Sequence, residues 1–500
     1  MIGLDTVTSG APVVGAILVP LAIHVAVRLK RCQDAVLVLG LLVVPLLTIA
    51  VLATTTRGRL DPVSDPWGAT EGEATEGYSI RKNDSFAIEA YFSRESYRPG
   101  TTAQLHFETI LRAVRLQLFH VGPEWSKTAG NMQMRGVAAT ESVLLGRIVA
   151  GSTARVTIGD WPTGLYFAQL TAPGGRIGYA PFVVPPKRLG QNRVAVVLPT
   201  RTWQAYNFRD DDSDGKGDTW YATPGRFTAR LHRPFLNRGV PPHFRSYDLH
   251  FLHWLSRSGK RVDILSQAEI DTIRDPAALR RAYNLLIFPG HHEYVTAAEY
   301  DAVEGFRDRG GSLVFLSANN FFWRIDLDHG LMTRVAKWRE LGRPEASLLG
   351  VQFVKNDMGE HRGPWLVRKA RATNRLFSGT GSEAGEAFSN GGIEIDHTAP
   401  SSPVETQVIA EIPNVLGPGL TAQMTYYATP RGAKSRLEPS RSPGRSGRSR
   451  SHNSSRTSGP GSPRPRRGLS RPRPRTDATR RPTVSEARSY RMTQSEADTE

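Results

Sequence analysis

Three short stretches carry the residue types that do chemistry: Pro199-Thr200-Arg201-Thr202-Trp203-Gln204-Ala205-Tyr206-Asn207, Gly290-His291-His292-Glu293-Tyr294 and Ser317-Ala318-Asn319-Asn320-Phe321-Phe322-Trp323-Arg324. They are dense in His, Glu, Asn and Tyr, and oxygen and imidazole donors of this kind suit hard or borderline metal ions. Thiol chemistry in a folded domain is excluded, because the one cysteine, Cys32, lies between two apolar runs. A nucleophilic serine lacks its Gly-x-Ser-x-Gly elbow. His250 and His253, with His243 upstream, suggest zinc, but no nearby carboxylate or cysteine completes the set. Asp210-x-Asp212-x-Asp214-Gly215 matches positions 1, 3, 5 and 6 of a calcium loop, yet Tyr221 stands twelfth, where an EF-hand needs Glu. A weak structural calcium site at Asp210, Asp212 and Asp214 is one reading of it, and a solvated acidic turn the other.

Each of the three stretches follows a short apolar run, at residues 194–198, 285–288 and 313–316, and a fourth run covers 262–265. Such runs are what strands covered on both faces require. Between them, residues 247–257 are apolar at Leu249, Phe251, Leu252 and Leu255 and stop at Gly259. Thr296-Ala297-Ala298-Glu299 is a capping box opening a helix that ends at Gly310-Gly311. Strand and helix in alternation predict a mainly parallel, doubly wound α/β domain over residues 187–434, glutamine-amidotransferase-like in architecture but without that chemistry's cysteine. Ligands bind beyond the carboxyl ends of strands in such sheets, where the three stretches lie. Residues 79–186 read as short strands between turns such as Tyr97-Arg98-Pro99-Gly100 and Pro173-Gly174-Gly175, which predicts a β-sandwich with no catalytic grouping in it.

At these loops the chain resembles the large, or beta, subunit of N,N-dimethylformamidase and its relatives, over roughly residues 80–434. The resemblance rests on the stretch from Leu198 to Asn207, on Ser246-Tyr247-Asp248-Leu249-His250-Phe251-Leu252-His253-Trp254-Leu255, on Gly290 to Tyr294 and on Ser317 to Trp323. It implies a metal-dependent hydrolase that cleaves a C–N bond in a small amide at a mononuclear iron (Fe3+). Two tyrosines and a glutamate hold the metal, and matched motif by motif these are Tyr206, Tyr247 and Glu293. His291 falls at a histidine position suited to a general base or proton donor, and Asn319 at one that orients substrate. Phenolate is a hard anionic donor whose formation at neutral pH needs a strongly Lewis-acidic cation such as Fe(III). Glu394 and Asp396 are candidates for a late carboxylate at the same site. The resemblance also admits an oligomer or a small partner subunit. The rival reading is a non-catalytic extracytoplasmic protein that binds a carbohydrate or another envelope component.

The ends of the chain differ from its middle. Residues 12–27 and 35–53 are uncharged apart from His24, and the second run would span ~28 Å as a helix, near the thickness of a bilayer core. The basic Arg28-Leu29-Lys30-Arg31 between them stays cytoplasmic under the positive-inside rule. This predicts a membrane anchor of one or two transmembrane helices over 1–54, a linker over 55–78, and folded domains on the extracytoplasmic side of the cell membrane. The formal net charge is +17, but residues 431–500 alone hold 18 Lys and Arg against 6 Asp and Glu, or +12 of it. Nucleic-acid binding by the folded part is therefore not expected. From Ser435 the composition turns to Arg, Ser, Pro and Gly, which cannot bury a core and predicts a disordered tail over 435–500. A shifted reading frame near Lys434 would produce such a change.

Overall fold

The computed structural model describes residues 82–437, apart from 126, 127, 129, 358, 371, 372 and 433. The expected membrane anchor and linker lie outside the described residues, as does the tail beyond 437. Among the described residues no helix is long and apolar enough to cross a membrane.

The first part is built from two antiparallel sheets. One has three strands, Ala90–Phe92, Thr102–Phe107 and Thr153–Thr157; the other is built on Leu111–His120, Gly164–Ala172 and Arg176–Val184. Alternation sends Leu105, Phe107, Leu116 and Leu118 into a shared core with Tyr166, Leu170 and Phe182. Gly164–Ala172 breaks the expected alternation, since its first five residues are all buried. Its second face, at Leu165 and Phe167, packs on a further core with Leu198, Phe244, Leu252 and Ile264. The larger sheet is therefore covered on both sides, which explains its near-continuous apolar run.

The second part centres on a nine-stranded sheet in the order Asp263–Ser266, Val194–Leu198, Leu285–Phe288, Ser312–Phe315, Lys434–Leu437, Ala422–Ala428, Gln407–Ile412, Gly363–Val367, Ala387–Gly391. The first five run parallel and the remaining pairings are antiparallel. Helix Ala297–Asp308 starts as its sequence dictates, with the Thr296 side chain accepting from Glu299 N at 3.1 Å. Helix Leu249–Arg257 buries Leu249, Leu252 and Leu255, while residues 244–247 form a separate helical turn instead of continuing it. The expected boundary at Lys434 falls inside a strand, because Lys434–Leu437 pairs on both sides. The paired backbone thus runs three residues past that boundary, through Lys-Ser-Arg-Leu, whose side chains show no alternation to announce a strand.

From Val194–Leu198 the chain crosses first to one neighbour, Asp263–Ser266, and then returns to the other side at Leu285–Phe288. The gap between the carboxyl ends of Val194–Leu198 and Leu285–Phe288 is thus the point where strand order reverses, the place where open α/β sheets bind ligands.

Candidate functional site

That reversal point is occupied by the first two chemical stretches. Helix Thr200–Ala205 follows the first strand and ends at Tyr206, whose side chain is 2% exposed. The loop after Leu285–Phe288 turns at Gly290, where φ is +65° and a methyl group would collide with Asp248 Oδ1. It then delivers His291 and Glu293. Thr202 Oγ1 accepts from Glu293 N at 3.2 Å, and Glu293 O accepts from the amides of Phe322 and Trp323, so the Glu293 backbone ties all three stretches together.

Tyr206 Oη donates to Glu293 Oε2 at 2.7 Å, and Glu293 is 1% exposed. His291 Nε2 lies 3.3 Å from Glu293 Oε2, 3.5 Å from Tyr206 Oη and 3.7 Å from Glu394 Oε2. His291 Nδ1 lies 3.2 Å from the carbonyl of Ala318, and since a carbonyl only accepts, Nδ1 carries the hydrogen. Nε2 is then the atom that takes up or gives a proton. Tyr247, on the turn Phe244–Tyr247, stacks on His243 at 4.8 Å, and its ring centre is 6.5 Å from that of His291. Tyr206, Tyr247, His291, His243 and Asp248 line one cleft of about 10 Å³, enough for a single water. Asn319 reaches the site through Glu394: its Nδ2 donates to Glu394 Oε1 at 3.4 Å, while its amide donates to Asp396 at 3.0 and 3.1 Å.

So the structure brings Tyr206, Glu293 and His291 into contact, sets Tyr247 across a shared cleft, and joins Asn319 by way of a carboxylate. Further residues complete the site. Tyr221 Oη lies 3.0 and 3.2 Å from the two Glu293 oxygens and 3.1 Å from Tyr206 Oη, so its one proton is shared among acceptors there, and it hydrogen-bonds Tyr294, which accepts from Trp220 Nε1 at 3.1 Å. Burial, with Glu293 and Tyr294 adding, holds the Tyr221 hydroxyl well above its usual pKa, so it stays a neutral donor. Glu394 is pushed upward by burial, offset by His291, and Asp396 is pushed up to about 7 by burial. Asp248 is pushed up to about 8 by burial, even though Trp203 Nε1 donates to its Oδ2 at 3.1 Å. His292 is buried against Phe288 and does not line the cleft. The zinc reading finds no support: His253 pairs with Glu124 at 2.7 Å, and His250 is exposed. A cavity of about 610 Å³ lies elsewhere, between Trp161, His120, Leu252 and Leu255, and none of the site residues lines it.

The chain thus sets buried phenol and carboxylate oxygens at the point where strand order reverses in a mixed sheet whose first five strands are parallel. Residues 151–436, more than half of the chain, match the family model described as N,N-dimethylformamidase beta subunit-like, C-terminal. The chain belongs to this family. Among curated relatives, the N,N-dimethylformamidase beta subunit of Paracoccus aminophilus is 24% identical over 272 residues, which cover 45% of this chain and 34% of that one. The N,N-dimethylformamidase beta subunit of an Alcaligenes species is 28% identical over 134 residues, which cover 27% and 17%. The matches thus span about a third of the length of one relative and less than a fifth of the other. A solved superoxide reductase (neelaredoxin) from Ignicoccus hospitalis aligns with 25% of this chain and 99% of its own at 10% identity. Its TM-score of 0.14 is too low to bear on the fold.

Proposed function

We propose that this protein hydrolyses the C–N bond of a small amide at a mononuclear iron site held by Tyr206, Tyr247 and Glu293. The observation that carries the reading is the buried contact of Tyr206 Oη with Glu293 Oε2 at 2.7 Å, with His291 Nε2 3.3 Å from the same oxygen. The donor set fits a hard, strongly charged cation. Two carboxylates, the buried Glu293 and the largely buried Glu394, converge on one imidazole, and among the described residues no Lys or Arg pairs with either. Burying carboxylates without a cation is costly, and phenol oxygens are the donors that ferric iron favours. A ferric ion held there supplies a Lewis acid for the amide carbonyl and for water.

The chain's own residues supply the rest. His291, with Nδ1 fixed on the Ala318 carbonyl, presents Nε2 to accept a proton from the attacking water and return it to the departing amine. Asn319 Oδ1 is buried without a hydrogen-bond partner, which suits it to orient a bound polar group. Tyr221 Oη sits between the two Glu293 oxygens and donates its one proton to that carboxylate. The beta-subunit names of the relatives support an oligomer or a partner subunit. The hydropathy of residues 12–53 supports a membrane-anchored, extracytoplasmic placement. The test is amine release from small formamides and acetamides by the purified full chain. Turnover lost in Glu293→Gln is expected, and a protein inert toward every small amide, yet folded and binding envelope carbohydrate, would overturn the reading.

A further inference from the structure

The loop that joins Tyr206 to Tyr221 leaves the site at Asn207 and returns at Trp220, and it carries a second cluster of acids. Asp210, Asp212 and Asp218 each bring a carboxylate oxygen within 4.8 Å of the others. Counted from Asp210, these are positions 1, 3 and 9 of a calcium-binding loop, with Gly215 at position 6 and φ +85°. Asp214, position 5 in the sequence pattern, instead accepts from Lys216 N at 2.7 Å, and Asp218 takes its place in the cluster.

Acidic turns are common, so the cluster alone means little. What sets this one apart is Asp210. It is 4% exposed, Gly215 N donates to its Oδ2 at 3.1 Å, and its Oδ1 is buried with no hydrogen-bond partner. A buried carboxylate oxygen left without a donor costs free energy that a cation would recover. The basic groups nearby leave that Oδ1 unsatisfied. Lys82 Nζ stands 3.9 Å from Oδ2, and Arg226 pairs with Asp218 and, at 3.5 Å, with Asp212.

We propose that Asp210, Asp212 and Asp218 bind a divalent cation, calcium by preference, which pins the loop that holds Tyr221 against Tyr206 and Glu293. Carboxylates on an irregular loop, with further positions left to carbonyls and water, suit calcium better than the strict octahedron of magnesium. Arg226, which pairs with Asp218 and Asp212, competes with the cation for the same carboxylates. The site is separate from the iron donors, so its failure would leave the amidase reading untouched.

The test is thermal unfolding and hydrogen exchange of the full chain in EGTA, in calcium and in magnesium, with iron content measured in the same samples. With a dissociation constant on the order of 10⁻⁴ M, as in weak extracellular modules, 10 mM calcium should raise the midpoint by about 3–5 °C. Exchange across residues 208–221 should slow, and magnesium should do much less. Asp212→Asn, at a side chain 55% exposed and therefore safe for folding, should abolish the response, and Arg226→Ala should reach the same shift at lower calcium. No response in the natural protein overturns the proposal, as does a response in Arg226→Ala alone, because arginine would then be the cluster's true partner.

Discussion

The hydroxyl of Tyr221 lies 3.0 Å from Glu293 Oε2 and 3.2 Å from Glu293 Oε1, so a residue 15 positions beyond Tyr206 reaches both oxygens of the carboxylate that Tyr206 touches. Two phenols thus meet one buried carboxylate in different capacities. In our account Tyr206 is a metal ligand and Tyr221 a support, and the two should separate experimentally. Tyr221→Phe should keep iron and lose roughly 10–100-fold in turnover, the scale of changes beside a metal ligand. Tyr206→Phe should lose iron as well as turnover. Metal analysis of the two variants beside their rates checks the distinction.

Asp396 holds Asn319 only through its backbone amide, at a residue whose φ is +54°. Asp396→Ala should release that turn and lower turnover by about 10–100-fold with iron content unchanged. Asp396→Asn, which keeps one acceptor, should recover part of the loss. Rates and iron content measured together distinguish this from general unfolding.

Arg201 joins the two parts of the protein beneath the site. It is fully buried, pairs with Asp271, lies 3.1 Å from Glu299, and reaches Glu95 of the first part at 3.6 Å. Arg201→Met strands buried carboxylates and should cost about 3–5 kcal/mol in denaturant unfolding.

His120 sets part of the acid limit of stability. Burial pushes its pKa down to about 4, whereas the unfolded chain takes up the proton near 6.5. The unfolded state therefore binds more protons between these values. The contribution is full above pH 6.5 and is lost as pH falls toward 4. His120→Phe, which preserves stacking on Tyr166, should lose on the order of 2 kcal/mol less over that window, read from denaturation midpoints against pH.

Much of this was legible in the sequence, for identifiable reasons. The runs at 194–198 and 285–288 announced parallel strands and marked the stretches that follow them, and within those stretches the family resemblance picked out Tyr206, His291 and Glu293. Thr296 and Glu299 formed the cap that their spacing requires. Tyr221 was not legible, since its role depends on a twelve-residue loop folding back, and nothing local distinguishes it from Trp220 beside it. Asp218 was missed because the calcium pattern was read through Asp214, whose side chain serves its own turn. Lys434–Leu437 escaped because pairing on both edges needs only backbone, and its side-chain pattern is silent. The helix break at Asp248 was hidden because Tyr247 and Leu249 keep an apolar rhythm across it.

The central claim is a ferric ion bound by tyrosine and glutamate, and metal analysis of the purified full chain with its visible spectrum tests it most directly. The account predicts about one iron per chain, together with a phenolate-to-iron absorption band that disappears in Tyr206→Phe. A protein that is folded and hydrolyses amides without iron, or whose iron and band survive that substitution, would contradict it.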